Sequence, residues 1–138
     1  MQYRTATISD APALSRMNFR LIRDEGHHNP KSVDELQVRM EGWLAGEYQA
    51  VLFEDAGSPA GYALFRRDQD TTFIRHFFIQ PKRRRQGVGR QAMAWLMENV
   101  WKDGVRIRLE VLVGNSTAIQ FWRSLGFVDY CITMDRRL

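Results

Sequence analysis

The chain carries a single cysteine, Cys131, and has no signal-type apolar stretch at its start, Met1-Gln2-Tyr3-Arg4-Thr5. No apolar run approaches the ~18 residues that cross a bilayer. The lone cysteine excludes an internal disulfide, and the three absences together point to a reducing cytoplasm, without membrane attachment. Repeats, low-complexity tracts and Pro/Gly/Ser linkers are also missing, so the 138 residues are expected to form one domain, residues 1–138.

Hydrophobic residues make up 44% and charged residues 26%, which suits a globular core, and the formal charge is +4. Where that charge sits matters more than its sum. Lys82, Arg83, Arg84, Arg85 and Arg90 cluster in one stretch. Composition leaves open a solvated loop, a nucleic-acid contact or a phosphate pocket.

Periodicity orders the elements. Tyr3 to Ile8 reads as a first strand. Asp10 and Pro12 open a helix with Leu14, Met17 and Leu21 on one face, and Gly26 lies past its end. Ser32 and Glu35 form a capping box for a second helix carrying Val33, Leu36, Met40, Trp43 and Leu44, stopped by Gly46. Tyr48 to Glu54, Ala60 to Arg66 and Thr72 to Ile79 read as three strands in series. From Gly87 the period becomes helical, through Val88, Ala92, Trp95, Leu96 and Val100. Arg106 to Val113 alternates as a strand, with Glu110 pointing away from its most apolar face. Asn115 or Ser116 caps a last helix ending at Gly126, and Phe127 to Met134 looks extended. The expected order is βααβββαβαβ.

A loop that holds a pyrophosphate needs glycines for close backbone approach and unpaired amides at a helix start, and neighbouring arginines add charge-assisted bonds. Arg84-Arg85-Gln86-Gly87-Val88-Gly89 has these parts, although a basic turn with geometric glycines would look the same. Gly87-x-Gly89-x-x-Ala92 also satisfies the dinucleotide fingerprint, with Glu110 about 20 residues on. That fingerprint follows its strand tightly, whereas Pro81 to Gln86 intervene here, and the preceding strands read as a meander without crossover helices. A Walker-type loop fails because Arg90-Gln91 stands where Lys-Ser/Thr is required.

The residues Arg84 to Gly89 resemble the signature of the GNAT superfamily of N-acetyltransferases: Arg or Gln, two variable residues, Gly, one variable residue, then Gly or Ala. Asn115, Ala118, Phe121, Trp122 and Leu125-Gly126-Phe127 resemble the family's second segment at the matching spacing. Tyr3 to Leu14 is similar to its opening. The resemblance implies an α/β (α+β) domain, a mixed, mostly antiparallel sheet flanked by helices and split to admit coenzyme A. It implies acetyl-CoA as cosubstrate and direct transfer of the acetyl group to a primary amine on a small molecule or peptide. A catalytically weak or inactive CoA-binding module is the alternative.

By the same resemblance, Arg84, Arg85, Gln86, Gly87, Val88, Gly89 and Arg90 hold the pyrophosphate. Phe77, Phe78 and Ile79 offer backbone groups to the pantetheine arm and to an oxyanion, and Asn115 and Trp122 touch the cofactor. An alkyl ammonium, with a pKa near ~10.4, must lose a proton before it attacks a thioester. Glu110, at the spacing of the glutamate base in the ribosomal-protein-acetylating branch, is the first candidate. His76 is the second, where family members often carry an acidic residue. Trp122 stands where the family has a tyrosine acid, which leaves Tyr130 as a replacement donor. Asp24 and Glu25 end the first helix, where they either attract a cationic amine or are simply solvated. His27-His28 has no further ligand at a recognisable spacing, so no metal is expected, nor is a nucleic-acid partner. The family has two strands after its last helix where this chain has one, so a homodimer completing the sheet edge is an expectation.

Overall fold

Alternating apolar residues in the central strands give a sheet with two faces to bury, and the helices are placed by that demand. The computed structural model describes residues 1–26 and 29–138. Strands β1 (Gln2–Thr5), β2 (Tyr48–Asp55), β3 (Ser58–Asp68), β4 (Thr71–Ile79) and β5 (Arg106–Leu109) lie side by side in that order. Neighbours are antiparallel except β4 and β5, which run parallel. Their connection carries helix α3 (Val88–Asn99), as a parallel crossover requires. The mixed, mostly antiparallel sheet flanked by helices is the expected fold class.

Adjacent residues of β2 and β3 serve opposite layers, as a period of two dictates. Ala50, Leu52, Tyr62 and Leu64 meet Leu14, Met17 and Leu21 of α1 (Ala11–Asp24) and Met40 of α2 (Val33–Ala45). Val51, Phe53, Ala63 and Phe65 meet Ala92, Met93 and Leu96 of α3 and Trp122 of α4 (Ser116–Ser124). Among the described residues, no helix is long and apolar enough to cross a membrane.

The Ser32–Glu35 capping box forms as expected: the Glu35 amide donates to Ser32 Oγ at 3.2 Å and the Ser32 amide to Glu35 Oε1 at 3.0 Å. Asp10 does something else. Its carboxylate accepts the Thr7 amide at 2.8 Å and both terminal nitrogens of Arg4, at 2.8 and 3.0 Å, so it makes no side-chain cap for α1. A bidentate charge-assisted pair outcompetes one neutral capping bond.

The first strand, expected over Tyr3 to Ile8, ends at Thr5, and Ile8–Asp10 form a 3-10 turn. Two further expected strands come out differently, and both of these lie beside the site. The strand expected from Arg106 to Val113 leaves the sheet after Leu109. The final strand expected over Phe127 to Met134 does not form; β5 is the last strand among the described residues. Val128, Tyr130, Ile132 and Met134 do alternate, but they are 84%, 65%, 79% and 86% exposed, so no buried face rewards pairing. Contacts between this segment and the β5 end of the sheet run through side chains, Arg108 to Tyr130 and Thr133 to Glu110. No contact with a second copy bears on the expected homodimer.

Candidate active site

The site is made by a parallel ladder that stops early. β4 and β5 pair from Thr71↔Arg106 to Ile74↔Leu109 and no further, although β4 runs on to Ile79. Arg75 to Ile79 are therefore supported only by β3, and a split opens between them and the chain from Glu110 onward.

A bulge sits at the same point. Across β3, Leu64 pairs with His76 while Phe65 pairs with Ile74, leaving Arg75 as the extra residue. Ile74 packs in the α3 layer, whereas His76 lies on the other face, its ring 5.3 Å from that of Trp43 and 5.9 Å from that of Tyr62. Strict alternation would have put Ile74 and His76 together. Phe77 and Ile79 pack their side chains in the α3 layer and Phe78 in the α1 layer, so all three can address a ligand in the split only through backbone groups.

The arginine loop joins the end of β4 to α3, and most of its side chains are already engaged. Arg83 pairs with Asp55, the last residue of β2. Arg84 pairs with Asp24 at 2.6 Å, donates to the Ile79 carbonyl at 2.8 Å and lies over the Phe78 ring. Gln86 donates to the Lys82 carbonyl, and Arg90 to Ser124 Oγ at 2.8 Å. Among the described residues, Arg85 has no carboxylate partner, and its φ of +61° is in the left-handed region. Gly87 follows at φ +76° and caps α3, whose first-turn amides at Val88, Gly89 and Arg90 have no intrahelical acceptor. At Gly89 a Cβ would sit 3.1 Å from Phe121 Cζ, so α3 packs closely against α4 there.

The candidate proton carriers have different surroundings. Glu110 is exposed at the first residue past the ladder, on the face shared with Arg106 and Arg108, and its Oε2 accepts Thr133 Oγ1 at 3.4 Å. It has no ion pair with Arg106 or Arg108. His76 is turned inward, its Nδ1 2.9 Å from the Tyr62 hydroxyl. Burial, reinforced by the positive charges of Arg39 and Arg75, pushes its pKa down to about 3. The ring is thus neutral at neutral pH and a poor proton acceptor. Tyr130 is exposed, and its hydroxyl accepts a bond from Arg108 at 2.8 Å.

Asn115 Oδ1 accepts the Ala118 amide at 3.3 Å as the cap of α4. It also borders a cavity of about 360 Å³ between Asp24, Glu25 and Gly26 at the end of α1 and Leu112 and Gly114 beyond β5. Asp24 belongs to an ion-pair network rather than to a solvated end. Burial opposes its charge, but hydrogen bonds from Arg84 and Arg20 prevail and hold its carboxyl below the usual range. Trp122 is 9% exposed and packs edge-on to Phe77, Phe121 and Phe127, with centroids 5.3, 4.9 and 5.2 Å away. The His27-His28 reading lies outside the described residues. Among those residues, no group of three or more His, Cys, Asp or Glu side chains is placed to hold a metal ion.

Sequence reasoning missed three residues on the inner face of the bulge: Arg39, Trp43 as a ring platform, and Arg75. Trp43 and Arg39 lie four apart, a helical signal, but nothing local links them to a β4 residue over thirty positions on.

The match to known proteins agrees with this geometry. The model of the acetyltransferase (GNAT) family fits residues 16–127, well over half of the chain. The protein belongs to that family. Among curated proteins it is similar to the ribosomal protein bS18-alanine N-acetyltransferase of Escherichia coli, 33% identical over 77 residues, which are 55% of this chain and 52% of that protein. The matched stretch spans about half the length of that relative. Among solved structures, a mutant of the BH1408 protein of Bacillus halodurans superposes with a TM-score of 0.82 at 21% identity, covering 100% of this chain and 99% of that one. The aminoglycoside N-acetyltransferase AAC(6')-Iy, solved with CoA, has a TM-score of 0.79 at 15% identity, over 99% and 93% of the two chains. A predicted acetyltransferase of Clostridium acetobutylicum, solved with acetyl-CoA, has a TM-score of 0.74 at 19% identity, over 99% and 95%. At these identities the structures establish a shared fold.

Proposed function

We propose that this protein is an N-acetyltransferase that moves an acetyl group from acetyl-CoA to a primary amine by direct transfer. The observation that carries the reading is the ladder between β4 and β5 ending at Ile74↔Leu109 beside a helix start capped by left-handed Gly87. An open strand edge at Arg75 to Ile79 suits an amide-bearing arm such as pantetheine, which would add to β4 as a strand does. The free first-turn amides of α3 and the unpaired Arg85 suit a pyrophosphate. Arg84 supports the loop from behind through Asp24 and the Ile79 carbonyl.

In this reading Glu110 is the general base, directly or through a water. It lies at the mouth of the split, where His76 is turned away and too weakly basic at neutral pH. Transfer forms the amide N–C bond and breaks the thioester C–S bond. The amine's proton leaves through Glu110, and backbone amides of Phe77 to Ile79 face the developing oxyanion. The sulfur leaves as a thiolate, tolerable for a thiol of pKa near ~8.5, or takes a proton from Tyr130. Cys131 is exposed on the final segment and forms no covalent intermediate.

Acetyl-CoA is expected to raise the melting temperature, with no rise from NAD or an oligonucleotide. Thiol release with a panel of amines, including a peptide with a free α-amine, then tests transfer. Stabilisation without release from any amine would favour the inactive CoA-binding module. The indole of Trp122, sealed among three phenylalanines in place of a phenolic acid, is the observation on that side.

A further inference from the structure

Arg39 of α2 and Arg75 of the β4 bulge reach the same aromatic ring. Their guanidinium carbons lie 4.5 and 4.6 Å from the centroid of Trp43. Arg75 is also 5.9 Å from the Tyr48 ring and makes a long 3.5 Å contact with the Tyr48 hydroxyl. Neither arginine has a carboxylate partner among the described residues, although Arg4, Arg20, Arg67, Arg83, Arg84 and Arg123 all have one. The Arg39 Nε is buried with no hydrogen-bond partner. Two like charges beside one ring repel, and the buried Arg39 Nε lacks an acceptor, so an anion bound between the two guanidinium groups would relieve both costs. His76 beside them is kept neutral by burial first and by the two positive charges second.

The pair stands beside the proposed point of transfer. Ile74 and Leu109 are the last paired residues of the two parallel strands, so Arg75 and Glu110 are the first residues on either side of the split. Both side chains serve the α1–α2 face: Arg75 lies over Trp43, and Glu110 shares its face with Arg108. An acceptor whose amine sits at Glu110 would turn its adjoining group toward the Arg75 side of the split.

We propose that Arg39 and Arg75, on the Trp43 platform, bind a carboxylate carried by the amine acceptor, so that the preferred substrate is an amine bearing an acidic group. A planar guanidinium fork matches a carboxylate with two parallel bonds, which orients the acceptor as well as attracting it. The proposal rests on the transfer reading for where the amine sits, but the anion site stands on its own geometry.

Two matched pairs test it: alanine against alaninamide for an α-carboxylate, and Ala-Glu-amide against Ala-Gln-amide for a side-chain carboxylate. Binding is followed by calorimetry and by the His76 ring resonances, and transfer by thiol release. At least one acidic member should bind about tenfold tighter than its amide, the range of one charge-assisted bidentate contact. The ratio should fall to about one in Arg75→Gln and in Arg39→Gln and recover only in part in Arg75→Lys, which restores the charge without the fork. Equal binding within both pairs would overturn the proposal, as would a preference that survives both glutamine variants. Tighter binding of inorganic phosphate than of any carboxylate probe would also overturn it. If the acidic preference holds while no amine is acetylated, the transfer reading fails and the carboxylate site stands.

Discussion

The arginine loop and the α1–α2 face of the bulge are both strongly basic, yet they differ in what the charges do. In the loop, Arg83 and Arg84 are neutralised by Asp55 and Asp24, Arg90 is tied to the Ser124 hydroxyl, and Arg85 is the one arginine without a side-chain partner among the described residues. Across the sheet, Arg39 and Arg75 share an aromatic ring and no acid. A dense cationic run can be mostly scaffold, while two arginines thirty-six positions apart make the less compensated site. The largest test of this contrast is on the acceptor side. Glu110→Gln should lower turnover by about 10²–10⁴-fold, the usual worth of a positioned general base, and leave the affinity for acetyl-CoA unchanged. Unchanged turnover at neutral pH would move the chemistry away from the mouth of the split.

The next test separates the loop's arginines. Arg85→Ala should weaken acetyl-CoA binding by about 10–100-fold, corresponding to a charge-assisted bond of about 1.5–3 kcal/mol. Arg83→Ala should weaken it by less than about threefold, because that side chain is spent on Asp55. Calorimetric Kd values for the two variants decide it, and equal losses would erase the distinction between scaffold and ligand arginines.

How much of this was legible in the sequence follows from how local each signal is. The capping box at Ser32–Glu35, the helix start at Gly87 and the stop at Gly126, with φ of +92°, depend on neighbouring residues and read correctly. The position of Glu110 on its strand face also follows from alternation alone. The bulge does not follow from alternation, which puts His76 with Ile74 and Phe78; only the resemblance to a family whose strands often bulge here implies it, because an extra residue in β4 is defined by its pairing with β3. Alternation in Phe127 to Met134 had the pattern of a strand, but a pattern becomes a strand only where a partner edge and a buried face meet it. The partner choices of Arg83 and Arg84 are equally non-local: their acids are at the end of β2 and at the end of α1.

A pH experiment extends the contrast to stability. His76 has its pKa lowered from near 6.5 to about 3 in the folded protein, by burial first and then by Arg39 and Arg75. Between those values the unfolded chain binds the proton and the folded chain does not, so stability falls as the pH drops below about 6.5. The loss is roughly 1.4 kcal/mol at one unit below that pKa, and above it the term is constant. His76→Asn should flatten this part of the denaturation profile. A carboxylate bound at Arg39 and Arg75 should shallow it in the parent protein, by offsetting the two charges that help to keep the ring neutral. A slope indifferent to both changes would detach the bulge from the cationic pair.

The smallest effect is expected where charges are fully matched. Arg4 holds the Asp10 carboxyl below its usual range, so this pair contributes stability above about pH 4 that is lost as the pH falls through the folded value. The Arg4 side chain is 46% exposed and solvent screens the pair, so Asp10→Asn should cost less than about 1 kcal/mol at pH 7. The cost should shrink toward nothing only as the pH falls through the lowered pKa of the folded carboxyl, where the parent side chain is protonated as well. The His76 slope therefore begins near pH 6.5 and the Asp10 slope near 4, and the two overlap below that. Urea titrations at pH 7, 5 and 3 on the two single variants and the double should show additive losses, because the groups lie in different networks with no shared partner. Non-additivity would mean that the cationic pair at the bulge is coupled to the ion pairs at the other edge of the sheet.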